Sequence, residues 1–484
     1  MPKTIALRRA TEFPLAPIMR HLSFFLFTCL TGILSPGSAE ETRPNLIVIF
    51  CDDLGYGDLG CYGSPTIRTP HLDRMAAEGI RFTDFYVAAS VCTPSRAALL
   101  TGRYPIRNGM CSDKRRVLFP EDKGGLPESE ITIAEVLKGA GYDTMHVGKW
   151  HLGIHEGSRP SDQGFDHSFG IPYSNDMDPR EGIKHREHAG NQNPPLDGWN
   201  VPLLRDNEIV ERPAEQKTLT KHYTEEAIKF IRQHTGSGEA RVGNPFFLYL
   251  AHTMPHVPLF ASPEFHGKSR AGRYGDVVEE IDWSVGQILD QLVASDLAKG
   301  TLVIFTSDNG PWTVMHDEGG SSGPLREGKG STWEGGMRVP AIAWMPGRVE
   351  PRVASIVAST LDLLPTAASL AGADSPAGVH LDGRNLLPFL FEGTLPPKKP
   401  FFFYRGREIF ACRLGQWKAH FQTRPAYERE AAQAHDPPLL YHLGRDPSEK
   451  RPRPMGPVTR PVLEQIQSAV EEHERTLEPL APQF

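Results

Sequence analysis

Cysteine is scarce: six are scattered through 484 residues, too few for a framework of stapling disulfides. An excess of positive charge is missing too. With 59 acidic against 52 basic side chains the formal charge is −7, so no global field draws the chain to nucleic acid or to an anionic membrane. Any anion site must therefore be built locally. No apolar run is long enough to cross a bilayer, which excludes stable membrane insertion. Internal repeats and extended low-complexity segments are also wanting. What remains is an ordinary globular composition, 39% hydrophobic and 23% charged, with length for a large core. Length alone suggests about two to four domains.

The N-terminus reads as a targeting segment. Arg20 precedes a short apolar run, Leu22 to Leu30, and Gly37-Ser38-Ala39 supplies small residues for cleavage. Residues 1–39 are therefore expected to be a signal peptide, with Met19 as an alternative start, and the mature chain to be exported, periplasmic or secreted, or in a lysosome-like lumen if eukaryotic. Arg8-Arg9 hints at twin-arginine export, but the residues after it fit poorly. Cleavage removes Cys29 and leaves Cys51, Cys61, Cys92, Cys111 and Cys412, an odd set in which one thiol has a task other than pairing. Which of the others pair is open, as is the oligomeric state.

Four apolar runs end in polar chemistry. Asn45–Phe50 stops at Asp52-Asp53; Tyr142–Val147 leads to Lys149 and His151; Phe246–Leu250 leads to His252 and His256; Thr301–Thr306 leads to Asp308-Asn309. Runs without alternation predict strands buried on both faces, as in a mostly parallel sheet covered by helices. Thr69 and Pro70 predict a helix start and Gly79 its end. Val277, Val278, Ile281, Val285, Ile288 and Leu289 form an apolar stripe at helical spacing, read as core. Parallel strands bring the four polar clusters to one edge, where such sheets bind ligands.

Each cluster alone has a bland explanation: Asp-Asp-Leu-Gly and Ser-Asp-Asn-Gly suit solvated turns, and a lone Lys or Arg suits a surface. Together they describe a site. Asp52, Asp53, Asp308 and Asn309 are oxygen donors for a hard cation, Ca²⁺ or Mg²⁺. Around them stand Arg96, Lys149, His151, His256 and Lys329, the last in a glycine-rich loop, as fixed cations and proton carriers for a small tetrahedral anion. The lone thiol Cys92, in Ser90-Val-Cys-Thr-Pro-Ser-Arg96, sits at the start of a helix-forming run.

Cys92-Thr-Pro-Ser-Arg96 has the Cys-x-Pro-Ser-Arg form of the type I sulfatases, and the chain resembles that family from about residue 44 to its end. Ala97–Arg103, Asp52–Asp58, Gly148–Gly153 and Ser307–Gly310 match as well. Gly323–Arg338 resembles the branch of arylsulfatase A and N-acetylgalactosamine-6-sulfatase; Leu414–Phe421 and His442–Lys450 lean to the second, Ile171–Ser174 to the first. The resemblance implies that Cys92 is converted to formylglycine (3-oxoalanine) by a maturation enzyme. It implies that Asp52, Asp53, Asp308 and Asn309 hold calcium, and that Arg96, Lys149, His151, His256 and Lys329 surround aldehyde and sulfate, with Ser174 as an accessory contact. Of His252 and His256, the one before Val257-Pro258 aligns.

The implied reaction is hydrolysis of a sulfate ester, an aryl sulfate in assay and a sulfated sugar in nature, through an aldehyde hydrate. Alternatives are a phosphodiester or phosphonate monoester hydrolase of the same fold and an inactive sulfated-glycan-binding protein. The implied architecture is an alkaline-phosphatase-like α/β/α sandwich over residues 44–390 with a large mixed, mostly parallel sheet. A smaller α+β domain is expected over residues 391–484, with Phe401–Phe421 as two strands and Val462–Thr476 as a helix. Thr313–Ser322 and Asp176–Asn200 are expected to be irregular and to shape the pocket mouth.

Overall fold

Strong hydrophobic continuity in the four runs makes four adjacent strands. The computed structural model describes residues 43–181, 198–235, 243–426 and 431–484. The expected signal peptide, and residues 182–197 of the expected mouth segment, lie outside them. The main sheet comprises β1 (Asn45–Cys51), β2 (Ile80–Tyr86), β3 (Asp143–Gly148), β4 (His167–Gly170), β5 (Leu203–Arg205), β6 (Glu208–Glu211), β7 (Phe246–Ala251), β8 (Thr301–Ser307), β9 (Arg338–Trp344), β10 (Arg352–Ala354) and β11 (Ala358–Ser359). Their order is β10-β2-β9-β8-β1-β7-β3-β4-β5-β6, with β11 also beside β2. The block β8-β1-β7-β3-β4 is wholly parallel. Antiparallel pairing of β9 with both β8 and β2 turns β2 back into the same direction.

Successive side chains of the central strands go to opposite faces, and both faces are dry. Leu46, Val48 and Phe50 of β1 join one core with Phe247 and Tyr249 of β7 and Leu302 of β8. Ile47 and Ile49 join the other with Leu248, Leu250, Val303 and Phe305. This is why these strands show no alternation in sequence, each buried Val, Leu, Ile or Phe contributing about 1.5–3 kcal/mol. Helices α1 (Pro70–Glu78), α4 (Leu219–Arg232) and α5 (Gly272–Ala294) cover the second core. Helices α2 (Cys92–Thr101), α3 (Ile133–Gly139) and α6 (Leu363–Leu370) cover the first. The α5 stripe is fully buried. Thr69 stands at the start of α1, but its hydroxyl accepts from the Gly60 amide and bonds Asp73 instead of capping the helix. No described helix is long and apolar enough to cross a membrane.

The C-terminal sheet corrects the expected pair of strands. It has four: β12 (Phe401–Arg405), β13 (Glu408–Leu414), β14 (Trp417–Thr423) and β15 (Gln433–His442), all antiparallel. Gly406 and Gly415, both at φ 60°, make two tight turns, so Phe401–Phe421 spans three strands where two were expected. Pro437-Pro438 masks β15, which tolerates proline because it is an edge strand. Helix α7 (Thr459–Arg475) starts three residues before the expected Val462, with Pro461 accommodated in its first turn. Phe401–Tyr404, Leu440 and Ile466 join the first core.

One buried carboxyl of α5 carries a pH-dependent prediction. Asp282 accepts hydrogen bonds from the Leu72 and His71 amides of α1 and is pushed up to about 7, by burial first and then by Asp73 and Glu279. Raised in the folded state, it adds stability that is fully present below about pH 4 and is lost as pH rises through its folded value. Asp282→Asn, which mimics the protonated acid, should match or slightly trail the wild type at pH 5. By pH 8 it should gain on it by about 2 °C or more in Tm. A constant difference across that range would contradict the assignment.

Candidate active site

Register sets the level of the site. Cys51 lies opposite Ser307, Phe50 opposite both Thr306 and Ala251, and Gly148 opposite Ala251. The residues that follow these positions therefore leave the sheet together at its carboxyl edge. From β1 come Asp52 and Asp53, from β3 Lys149 and His151, from β7 His256, and from β8 Asp308 and Asn309. Beyond β2, helix α2 begins at Cys92 itself, and all ten of its residues are buried.

Asp52 is the hub. Its carboxylate receives Lys149 Nζ at 2.6 Å, faces Arg96 at 3.7 Å and meets Cys92 Sγ at 3.4 Å. Arg96 grips Asp308 through Nε at 3.1 Å and Nη2 at 2.8 Å, and donates to the Lys149 carbonyl at 3.0 Å. Asp53 receives Lys329 Nζ at 2.8 Å and Asn309 Nδ2 at 2.7 Å, with His256 Nε2 at 3.7 Å. Ser174 Oγ lies between Lys149 Nζ at 3.1 Å and His256 Nε2 at 3.5 Å. His252 points elsewhere, to Ser284 at 3.4 Å. Every residue expected at the site, Ser174 included, is thus brought to this cluster except His151, whose ring is held just behind it. His151 Nε2 bonds the Leu118 carbonyl at 2.9 Å, and its buried Nδ1 has no hydrogen-bond partner.

Electrostatics sorts these groups. Burial alone would raise Asp52, but Lys149, His256, Arg96 and Lys329 together hold it well below the usual carboxylate range. Asp308 is pushed up to about 7 by burial and then by Asp52, against the pull of Arg96. Burial and then Lys149 drive His151 well down, and burial and then Lys329 lower His256. Burial and then Asp52 raise the Cys92 thiol well above its ordinary value. A cysteine nucleophile works as thiolate, a form that these surroundings disfavour at Cys92.

The donor set fits a hard divalent cation. Asp52, Asp53 and Asp308 are nearly sealed from solvent, and the buried Asn309 Oδ1 has no hydrogen-bond partner. Three crowded carboxylates and an unsatisfied amide oxygen are oxygen chemistry suited to Ca²⁺ or Mg²⁺. Among the described residues, Asp52, Asp53, Cys92 and His256 bring potential ligand atoms within 4.8 Å of one another. Of the other two expected ligands, Asp308 has Oδ2 turned onto Arg96, and Asn309 presents its amide nitrogen to Asp53. Rotating the Asn309 amide by a half-turn brings its oxygen to face Asp53, an arrangement that needs a cation between them.

Local backbone serves the same end. Asp53 at φ 69° and His151 at φ 61° are left-handed non-glycine residues, each costing about 1 kcal/mol or more, strain that clusters at functional sites. A Cβ on Gly310 would stand 1.8 Å from the Gly335 carbonyl, so the glycine-rich loop carrying Lys329 packs directly on the turn after β8. Two contributors escaped sequence reasoning. Trp312 lies under Lys329 Nζ, 4.4 Å from ring centre, and 5.4 Å from the His256 ring. Thr93 Oγ1 donates to the His151 carbonyl and accepts from Leu118, tying the helix start to both. Trp312 follows Asn309 by three residues, its only sequence signal; Thr93 was marked only as part of the Cys92–Arg96 motif, without its tie to His151 and Leu118.

A parallel sheet edge that gathers acidic donors, fixed cations and a helix-borne residue defines a hydrolase of tetrahedral-oxyanion esters with the alkaline-phosphatase-like fold. Residues 44–373 match the Sulfatase family and residues 396–484 the C-terminal region of aryl-sulfatase, so the chain belongs to the sulfatase family and is a sulfuric ester hydrolase. It is 45% identical to human arylsulfatase A over 86% of this chain and 84% of that protein. To human N-acetylgalactosamine-6-sulfatase it is 42% identical, over 92% and 88%. Among solved structures it is similar to PsFucS1 sulfatase from Pseudoalteromonas sp., with TM-score 0.77, 29% identity and 90% of each chain covered. It is also similar to Ps i-CgsB in complex with k-i-k-neocarrahexaose, with TM-score 0.74, 30% identity, and 92% and 95% covered.

Proposed function

We propose that this protein hydrolyses the sulfate ester of a carbohydrate, using a formylglycine made from Cys92 and a Ca²⁺ held by Asp52, Asp53, Asp308 and Asn309. One observation carries the reading: Cys92 stands at the start of α2 with Asp52 3.4 Å away, amid Arg96, Lys149 and Lys329. When present, the hydrated aldehyde supplies two hydroxyls on one carbon, one to attack sulfur and one whose deprotonation frees the sulfate. The cation supplies charge opposite the sulfuryl oxygens.

This chain's own residues do the rest. Arg96 and Lys149 are already oriented, the first by Asp308 and the Lys149 carbonyl, the second by Asp52 and Ser174, so they stabilise charge without reorganising. The first amides of α2 add donors beneath the anion. His256 Nδ1 donates to the Val257 carbonyl at 2.6 Å, which leaves Nε2 of the neutral ring an acceptor. The proton for the departing alcohol comes from Lys329 Nζ, held on Asp53 at 2.8 Å. Held neutral, His151 offers Nδ1 as the proton acceptor for release. Cys92 is only 2% exposed, so a maturation enzyme must act on it before the chain folds. Export follows the expected signal peptide.

A relative named N-acetylgalactosamine-6-sulfatase and a neighbour solved with neocarrahexaose support a sulfated sugar as substrate. Rates on 4-nitrophenyl sulfate and bis(4-nitrophenyl) phosphate, with 6-O- and 3-O-sulfated hexosamines in parallel, test it. Sulfate release from a sulfated sugar, with the phosphate diester slower by about 100-fold or more, is expected. Preference for the phosphate diester would overturn it.

A further inference from the structure

The loop that carries Lys329 is gripped from behind by the C-terminal sheet. In front, the Lys329 amide donates to the Pro311 carbonyl and the Gly330 amide to the Ser90 carbonyl, both beside the site. Behind, Arg405 of β12 donates to the Gly330 carbonyl at 2.7 Å, and Lys418 of β14 donates to the Thr332 carbonyl at 2.9 Å. Lys418 also meets Glu334 at 3.0 Å and Glu449 at 3.1 Å. Glu449, just beyond β15, accepts from the Glu334 amide at 2.7 Å and from His420 at 2.7 Å. His420 stacks 4.2 Å from Trp333. Lys418, His420, Glu334 and Glu449 are wholly buried.

A buried ion-pair network of this kind adds little stability over a well-packed apolar one. Its ties instead land on Gly330, Thr332 and Glu334, the residues immediately after Lys329. We propose that Lys418, with Arg405 and Glu449, is a positioning residue for the reaction: the C-terminal sheet sets the place of Lys329 relative to Asp53 and the leaving alcohol. The inference rests on the role given to Lys329 above. A shift of about 1 Å in such a group is enough to cost on the order of 100-fold.

The test uses the mature, calcium-loaded enzyme and two variants, Lys418→Met and Arg405→Met. The second removes the Gly330 tie, together with the Arg405 contacts to the Pro425 and Ala426 carbonyls, and leaves the Lys418–Glu334–Glu449 network whole, so it serves if the first fails to fold. Each is assayed on a sugar 6-sulfate, a poor leaving group, and on 4-nitrophenyl sulfate, which needs no proton, alone and in a Lys329→Ala background. Expected are a fall in kcat of about 10- to 100-fold on the sugar sulfate, a few-fold on the aryl sulfate, and KM nearly unchanged. No further loss is expected in the Lys329→Ala background. Equal losses on both substrates, or losses that multiply with Lys329→Ala, overturn the clamp and leave the role of Lys329 standing. If Lys329→Ala itself shows no dependence on leaving group, that role falls and the clamp with it.

Discussion

Cys92→Ala is expected to lose turnover by on the order of 10⁴-fold or more while keeping its fold. Removing Sγ from a buried helix start deletes one small apolar atom and costs about 1–2 kcal/mol, little for a core of this size. It also deletes the only route to an aldehyde at this position. Cys92→Ser separates the two halves of the chemistry. A serine hydroxyl can attack sulfur once, but with a single oxygen on its carbon it cannot expel the sulfate, so one turnover and a sulfated protein are expected. Sustained activity in either variant would contradict the role of Cys92. Far-UV circular dichroism and Tm report that the fold is intact.

Removing calcium should rank second in size. At their formal charges Asp52, Asp53 and Asp308 balance Arg96, Lys149 and Lys329, so the protein side chains alone give the centre no net positive charge. A divalent cation makes it positive toward an anionic ester. Chelation should therefore lower kcat/KM by on the order of 10²–10³-fold. Binding at about 100 times Kd is worth about 2.7 kcal/mol to the folded state, so Tm should fall as well. Ca²⁺ should restore both better than Mg²⁺, because three carboxylates and an amide suit a larger and less rigid coordination sphere. Unchanged activity after exhaustive chelation, checked by elemental analysis, would contradict the cation site.

Much of this centre was legible in the chain because its chemistry follows the strands directly. Asp52-Asp53, Lys149, His256 and Asp308-Asn309 each come within a few residues of an apolar run, and parallel pairing alone brings such positions together. Strand β2 was harder to see, since Arg81, Thr83 and Asp84 alternate with its core residues. The C-terminal sheet was undercounted by one strand across Gly406 and Gly415, where a turn needs only one glycine, and by another at Pro437-Pro438, where an edge strand tolerates what a central one refuses. The grip on the Lys329 loop was invisible for another reason. Lys418 and Glu334 are 84 residues apart, and nothing local marks a lysine that ends buried against a glutamate. The left-handed turns at Asp53 and His151 likewise depend on what surrounds them, not on their residue type.

Mass spectrometry of the tryptic peptide Phe82–Arg96, on protein taken from its own host and assayed in parallel, tests the account most directly. The fraction of peptide carrying an aldehyde at Cys92 should equal the fraction of active sites found by single-turnover titration. Protein that is fully active with an intact thiol at Cys92 would contradict it.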